Sequence, residues 1–278
     1  MSLRVATRQE YETSIAEGQP LPLLSLALGM ECTATAEEMN SNFFATLDRG
    51  YTPINEYLGK EIGKTCSLVG SGPTIEETYK DLEGDVVAVN SAIGFLLEKG
   101  IVPKYAMIWD AADICKAFAI PHPDITYLIA SRCHPKVFER LNDCKVVVWH
   151  AAGDHNIMEV MNRPEVIAKQ KCHEPLINGG SAGITRGIFI VNSIGYQKIN
   201  IFGGDSCYTG NKTHIKGSLV PEKDIMVSMG REPPTFFRTT PEWCAQVEEY
   251  KTIFTVFAHH GVDLLEVHGN GMLKEIHE

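Results

Sequence analysis

From Thr65 onward the chain alternates short apolar runs with stretches of helical periodicity, and that alternation restricts its fold more than any other feature. The runs fall at 65–69, 85–89, 106–109, 125–130, 145–149 and 198–202, with a further one at 263–267. Helical patterns lie between them, near 75–82, 92–99, 112–119, 135–142, 182–194 and 241–260. Val86-Val87-Ala88-Val89 and Val146-Val147-Val148-Trp149 carry no polar alternation, as expected of strands covered on both faces of a parallel sheet. Repeated βαβ units predict an α/β fold, Rossmann-like and doubly wound, with a mostly parallel sheet. Ligands in such folds sit beyond the carboxyl ends of the strands, so chemistry is sought in the residues that follow each run.

Residues 1–64 lack this rhythm and read as a small helical N-terminal appendage to a Rossmann-like domain at 65–278. Within it, Glu37 to Leu47 predicts a helix with Phe43, Phe44 and Leu47 on one face and Gly50 as its terminator. A chain of 278 residues suffices for one large α/β domain with such an appendage. The net charge of −10 argues against nucleic acid and anionic membrane surfaces as partners. Leu21–Met30 is apolar but too short to span a bilayer, and the acidic residues Glu10, Glu12 and Glu17 before it do not suit an export signal. Eight scattered cysteines without a C-x-x-C pair fit reduced thiols and a cytoplasmic setting. Helix 241–260 could face either the core or another copy of the chain, which leaves a homo-oligomer open.

After the first run comes Gly70-Ser71-Gly72-Pro73-Thr74, with Thr74 placed to cap the following helix. Glycines permit close backbone approach, and a helix start offers N–H groups to an anion such as a phosphate. The turn lacks the G-x-G-x-x-G spacing of a dinucleotide site, and no G-x-x-x-x-G-K-[ST] occurs.

The other strand ends supply Asn90 and Ser91, Asp110, Ser131 to His134, His150, then Asp205, Ser206 and Tyr208, with Asn211, Lys212 and His214 in the next loop. Each alone suits a turn or a helix cap. Together they would line one edge of the sheet. A second glycine cluster, Gly179-Gly180-Ser181-Ala182-Gly183, precedes helix 182–194 and could cradle a ligand through that helix start. It also matches G-x-S-x-G, so a serine hydrolase using Ser181 with Asp205 and His214 or His268 is a minority alternative. Against it, the run before Ser181 contains Pro175 and makes a poor central strand. His150, His155, Cys172 and His173 match no compact zinc spacing.

The ordered series G-S-G-P-T, V-N-S-A, W-D, R-C-H-P, G-G-S-A-G and I-F-G-G-D-S-C-Y…T-H resembles the 6-hydroxymethylpterin diphosphokinase MptE-like family. That family includes the motility accessory factor flagellin glycosyltransferases, and the likeness covers roughly residues 60–270. A looser similarity links the first and last motifs to bacterial sialyltransferases. The resemblance implies that Gly70, Ser71, Gly72, Pro73 and Thr74 line a nucleotide phosphate site, with Asn90 and Ser91 at the nucleotide and Gly180 and Ser181 closing the other side. It also implies Asp110 and Asp205 as carboxylates, and His214 and Tyr208 at the reacting centre. Thr74 stands where the family usually has Ser, and a hydroxyl is kept.

Two chemistries follow from it. One is transfer from a CMP-linked, sialic- or pseudaminic-acid-type sugar to a hydroxyl acceptor, with His214 as base and no permanently bound cofactor or metal. The other is pyrophosphoryl transfer from ATP to a hydroxymethyl-dihydropterin, for which Asp110 and Asp205 would hold Mg²⁺. The absence of further acids close to either aspartate tilts the reading towards glycosyl transfer. A non-catalytic nucleotide-binding module is the remaining alternative.

Overall fold

The computed structural model of the protein describes residues 4–6, 34–153, 156–170, 172–215, 224–229 and 234–278. The segment Leu21–Met30, together with Cys32 and His155, lies outside them. In chain order the first elements are β1 (Arg4–Ala6), α1 (Ala36–Arg49), β2 (Thr52–Pro53), β3 (Thr65–Val69), α2 (Ile75–Thr78), β4 (Asp85–Val89) and α3 (Ala92–Glu98). There follow β5 (Tyr105–Ile108), β6 (Thr126–Ala130), α4 (Pro135–Arg140), β7 (Lys145–Ala151), α5 (Ile157–Met161), α6 (Pro164–Ile167) and β8 (Leu176–Ile177). The last are α7 (Gly183–Ser193), β9 (Lys198–Phe202), β10 (Ile225–Met229), β11 (Thr235–Thr239), α8 (Pro241–His259), β12 (Asp263–Val267) and α9 (Met272–His277).

The main sheet is parallel, in the order β12-β9-β3-β4-β5-β6-β7-β2, with β8 also paired to β7. Its inner strands are buried along most of their length: every residue of β5 and β6 is buried, and Leu68, Tyr127, Trp149 and Phe202 are wholly inaccessible. Each such side chain contributes about 1.5–3 kcal/mol relative to exposure. Crossovers from β3 to β7 advance in one direction, and the chain then returns to the other side of β3 for β9 and β12. Right-handed crossovers in opposite directions put helices on both faces, so the fold is doubly wound and Rossmann-like.

Residues 34–64 pack onto this sheet. The capping box of α1, with Glu38 N–H donating to Thr35 Oγ1 (3.2 Å) and Thr35 N–H to Glu38 Oε2 (2.7 Å), starts the helix. Gly50 ends it at φ +69°. Met39, Phe43 and Leu47 form its buried stripe, while Phe44 is half-buried, and β2 extends the sheet beside β7. Two expected helices take tighter forms. The pattern at 75–82 becomes the one-turn α2 and a 3-10 turn at Tyr79–Asp81, and that at 112–119 becomes a 3-10 segment, Asp113–Phe118. A second, antiparallel sheet, β1-β10-β11, stands beside the loop after β9, to which it is tied by Tyr208 N–H donating to Arg238 O (2.8 Å). Among the described residues the cysteines are free, and no helix is long and apolar enough to cross a membrane.

Candidate functional site

Strands β3 and β9 are neighbours, but β3 continues towards β4 and β9 towards β12. That reversal is the switch point at which α/β sheets bind ligands. A cavity of about 160 Å³ opens there. Its walls are Gly70–Gly72 after β3, Asn90 after β4, Ala182–Thr185 at the start of α7, Gly203–Cys207 after β9, Thr213 and His214, and Trp243 and Gln246 of α8.

The first glycine turn is held by the protein itself. Gly70 N–H donates to Phe202 O (2.8 Å) and Gly72 N–H to Gly203 O (2.9 Å). A Cβ on Gly70 would lie 2.6 Å from Gly203 O, and one on Gly72 would lie 2.7 Å from the Asp205 carboxylate. The absence of side chains therefore serves the packing of two strand-end loops against each other. Thr74 does not cap α2 through its side chain. Its hydroxyl donates a short bond to Asp205 Oδ1 and its N–H donates to Asp205 Oδ2 (2.9 Å), so the anion at this turn is the protein's own carboxylate. Asp205 is 3% exposed, and Met272 N–H donates to its carbonyl (2.8 Å). Burial raises the pKa of this carboxyl, and the two bonds from Thr74 oppose that rise.

Opposite this turn, the start of α7 remains open. Gly183 and Ile184 N–H groups have no acceptor among the described residues, whereas Ala182 N–H is taken by Thr185 Oγ1 (3.1 Å) and Ser181 N–H by Glu249 Oε2 of α8 (2.9 Å). A Cβ on Gly183 would lie 2.8 Å from Val89 Cγ1, which explains the glycine. Beside it stands Asn90, in a left-handed conformation (φ +49°), with Oδ1 buried and without a partner among the described residues. Non-glycine residues at positive φ cost energy and cluster at functional sites. Two helix N–H groups without acceptors among the described residues, at the positive end of the helix dipole, are chemically able to receive an anion.

The remaining wall carries the titratable group. His214 Nδ1 lies 3.1 Å from Thr213 Oγ1, and Nε2 has no partner among the described residues. Burial lowers its pKa, which favours the neutral imidazole. The Trp243 ring lies 6.3 Å from His214 and 5.4 Å from Tyr208, whose hydroxyl is buried without a partner among the described residues and whose ring carries Arg238 at 4.4 Å.

Of the residues expected at the site, the cavity gathers Gly70, Ser71, Gly72, Asn90, Asp205 and His214. Pro73, Thr74, Ser91, Gly180, Ser181 and Tyr208 are not among its lining residues. Asp110 is also absent from them; its Oδ1 accepts from Ala112 N–H (2.9 Å). Lys212 is turned to Glu76 (2.8 Å). Ser181 Oγ is buried without a partner among the described residues, so neither His214 nor His268 is bonded to it as a hydrolase triad requires. His150 is fully buried with Nε2 2.8 Å from Glu174 Oε2, and no three His, Cys, Asp or Glu among the described residues are grouped to hold a metal. Trp243, Gln246 and Glu249 carry no strand-end signal. Trp243 and Gln246 enter the cavity from the first turns of α8, where Thr240 accepts from Trp243 N–H (3.3 Å), and Glu249 meets Ser181 N–H outside it.

Residues 41–211 match the family described as 6-hydroxymethylpterin diphosphokinase MptE-like, which is more than half of the chain. The chain belongs to that MptE-like family. The match spans the two glycine turns, the start of α7 and Asp205, and it ends before His214 and α8. No functionally curated protein matches the sequence. Among solved structures, this MptE-like protein is similar to the MAf glycosyltransferase from Magnetospirillum magneticum AMB-1, with a TM-score of 0.54 and 13% identity. The similarity covers 88% of this chain and 39% of that one. At that identity the likeness establishes a shared fold, and the chain spans well under half of that protein's length.

Proposed function

We propose that this MptE-like chain is a transferase that seats the phosphate of a nucleotide-linked sugar at the start of α7 and passes the sugar to a hydroxyl acceptor. The observation that carries this reading is the pairing, across one cavity, of the Gly183 and Ile184 N–H groups with the buried ring of His214, whose Nε2 has no partner among the described residues. In the reaction the acceptor hydroxyl gives its proton to His214 Nε2 while its oxygen bonds to the anomeric carbon. The bond from that carbon to the phosphate oxygen breaks, and CMP leaves with the electron pair. The negative charge gathering on the phosphate is met by the α7 N–H groups, already oriented before the reaction begins.

The charge of the cavity supports a singly linked phosphate over a triphosphate. Among the described residues its lining holds no lysine or arginine, and the carboxylate there, Asp205, is bonded to Thr74. A second reading is favoured by the family description itself, pyrophosphoryl transfer from ATP to a hydroxymethylpterin. It calls for Mg²⁺ on Asp110 and Asp205, and the residues present do not fit that role: Asp110 closes a local turn and Asp205 is buried against Thr74. The experiment is release of CMP from CMP-linked sialic acid with a hydroxyl acceptor, in EDTA and in Mg²⁺. Metal-independent release supports sugar transfer. No release, with conversion of ATP to AMP on 6-hydroxymethyl-dihydropterin in Mg²⁺, would replace it with the diphosphokinase.

A further inference from the structure

We infer that Trp243 and Gln246, one turn apart on α8, form the subsite that holds the planar heterocycle of the substrate, the indole stacking on the ring and the amide reading its edge. Such a subsite rests on the nucleotide reading above and adds to it the wall that faces the ring. Both residues lie beyond the family match, which ends at Asn211.

Trp243 meets Tyr208 and His214 in T-shaped contacts, at interplanar angles of 61° and 63°, so neither ring stacks parallel to the indole. The indole is nonetheless held in place. The Trp243 backbone N–H donates to Thr240 Oγ1 at the helix cap, and the ring is buttressed by Tyr208 from a buried position beneath Arg238. A fixed aromatic plane half-exposed to a cavity is what base stacking uses, at low entropic cost. Gln246 stands beside it, its Oε1 accepting a long bond from Ser206 Oγ (3.4 Å). Its amide nitrogen makes no hydrogen bond among the described residues, and so offers donors to a ring nitrogen or exocyclic oxygen. Ser206, which fixes the other end of that amide, is itself at φ +51°, a conformation kept where a site needs it.

The planar ring could be the pyrimidine of the donor or the pterin of an acceptor, and titration separates the two. The full-length protein and its W243L, W243F and Q246L variants are titrated calorimetrically with CMP, with 6-hydroxymethylpterin and with ribose 5-phosphate, which lacks a ring to stack. W243L is expected to weaken one heterocycle roughly 5- to 150-fold, W243F to restore most of the loss, and neither to alter ribose 5-phosphate. Loss for CMP assigns the subsite to the donor base, and loss for the pterin assigns it to the acceptor. Equal weakening of ribose 5-phosphate would mean that Trp243 only supports the structure, overturning the subsite. Unchanged CMP and pterin affinities in W243L would overturn it while leaving the nucleotide reading intact. Failure of the unaltered protein to bind either compound would remove both.

Discussion

Substituting Thr74 by Val keeps the shape of the side chain and removes the hydroxyl that donates to Asp205. The carboxylate, 3% exposed, then keeps only the Thr74 N–H bond at 2.9 Å from this residue. Hydrogen bonds to charged groups are worth about 1.5–3 kcal/mol, so T74V should lose about 2 kcal/mol at neutral pH. Because burial already raises the Asp205 pKa in the folded state, the stability linked to its protonated form is full below the ordinary carboxylate range and is lost as pH rises through the raised value. Removing the Thr74 donor raises that value further. The deficit of T74V is therefore largest at pH 7 and closes as pH falls towards 4. Urea unfolding at a series of pH values measures it directly. CMP affinity should stay unchanged, since the Thr74 hydroxyl is spent on Asp205. A pH-independent deficit, a deficit below about 0.5 kcal/mol, or loss of CMP binding without loss of stability would refute the lock between these two loops.

H214Q should lower turnover about 10²- to 10⁴-fold while CMP affinity stays within about threefold; unchanged turnover removes His214 as base. Burial lowers the His214 pKa, and the neutral imidazole is the active form, so the acid limb of kcat/KM should have its midpoint below 6.5; a midpoint above 7 contradicts this. N90G relieves the φ of +49° and should stay within about 1 kcal/mol of the original stability. It should still weaken CMP roughly tenfold through loss of the side-chain amide, and calorimetry with thermal unfolding reads both. E249A leaves Ser181 N–H without its acceptor and should cost about 1–2 kcal/mol. E249Q, which keeps an acceptor, should recover most of that, and equal losses in the two would assign the effect to charge instead.

Strands were the most legible part of the sequence. The runs at 65–69, 85–89, 198–202 and 263–267 coincide with β3, β4, β9 and β12: the three inner strands are mostly buried and mostly apolar, whereas β12, at the sheet edge, buries Leu264 and Val267 and exposes Asp263 and Glu266. Shorter pieces carry no such period. β2 has two residues, and β1 has three and finds its partner more than 200 positions away. Helix type was legible only in part, since Cys115 and Phe118 would suit either an α or a 3-10 segment. The short span between the Asp110 turn and Pro121 settles it in favour of the latter. The rule that ligands lie past strand ends led to Gly70, Asn90, Asp205 and His214, all of which meet at the cavity. It could not find the bond between Thr74 and Asp205, which joins positions 131 apart, nor Trp243 and Gln246, which reach the cavity from inside a helix.

The two glycine turns make opposite claims on a phosphate, and backbone amide NMR separates them. In a transverse-relaxation-optimised ¹H–¹⁵N titration with CMP in EDTA, the Gly183 and Ile184 amides should shift strongly downfield. Gly70 and Gly72, already bonded to Phe202 O and Gly203 O, should barely move. Large shifts at Gly70 and Gly72 with none at Gly183 and Ile184 would contradict the account, and would return the phosphate to the turn after β3.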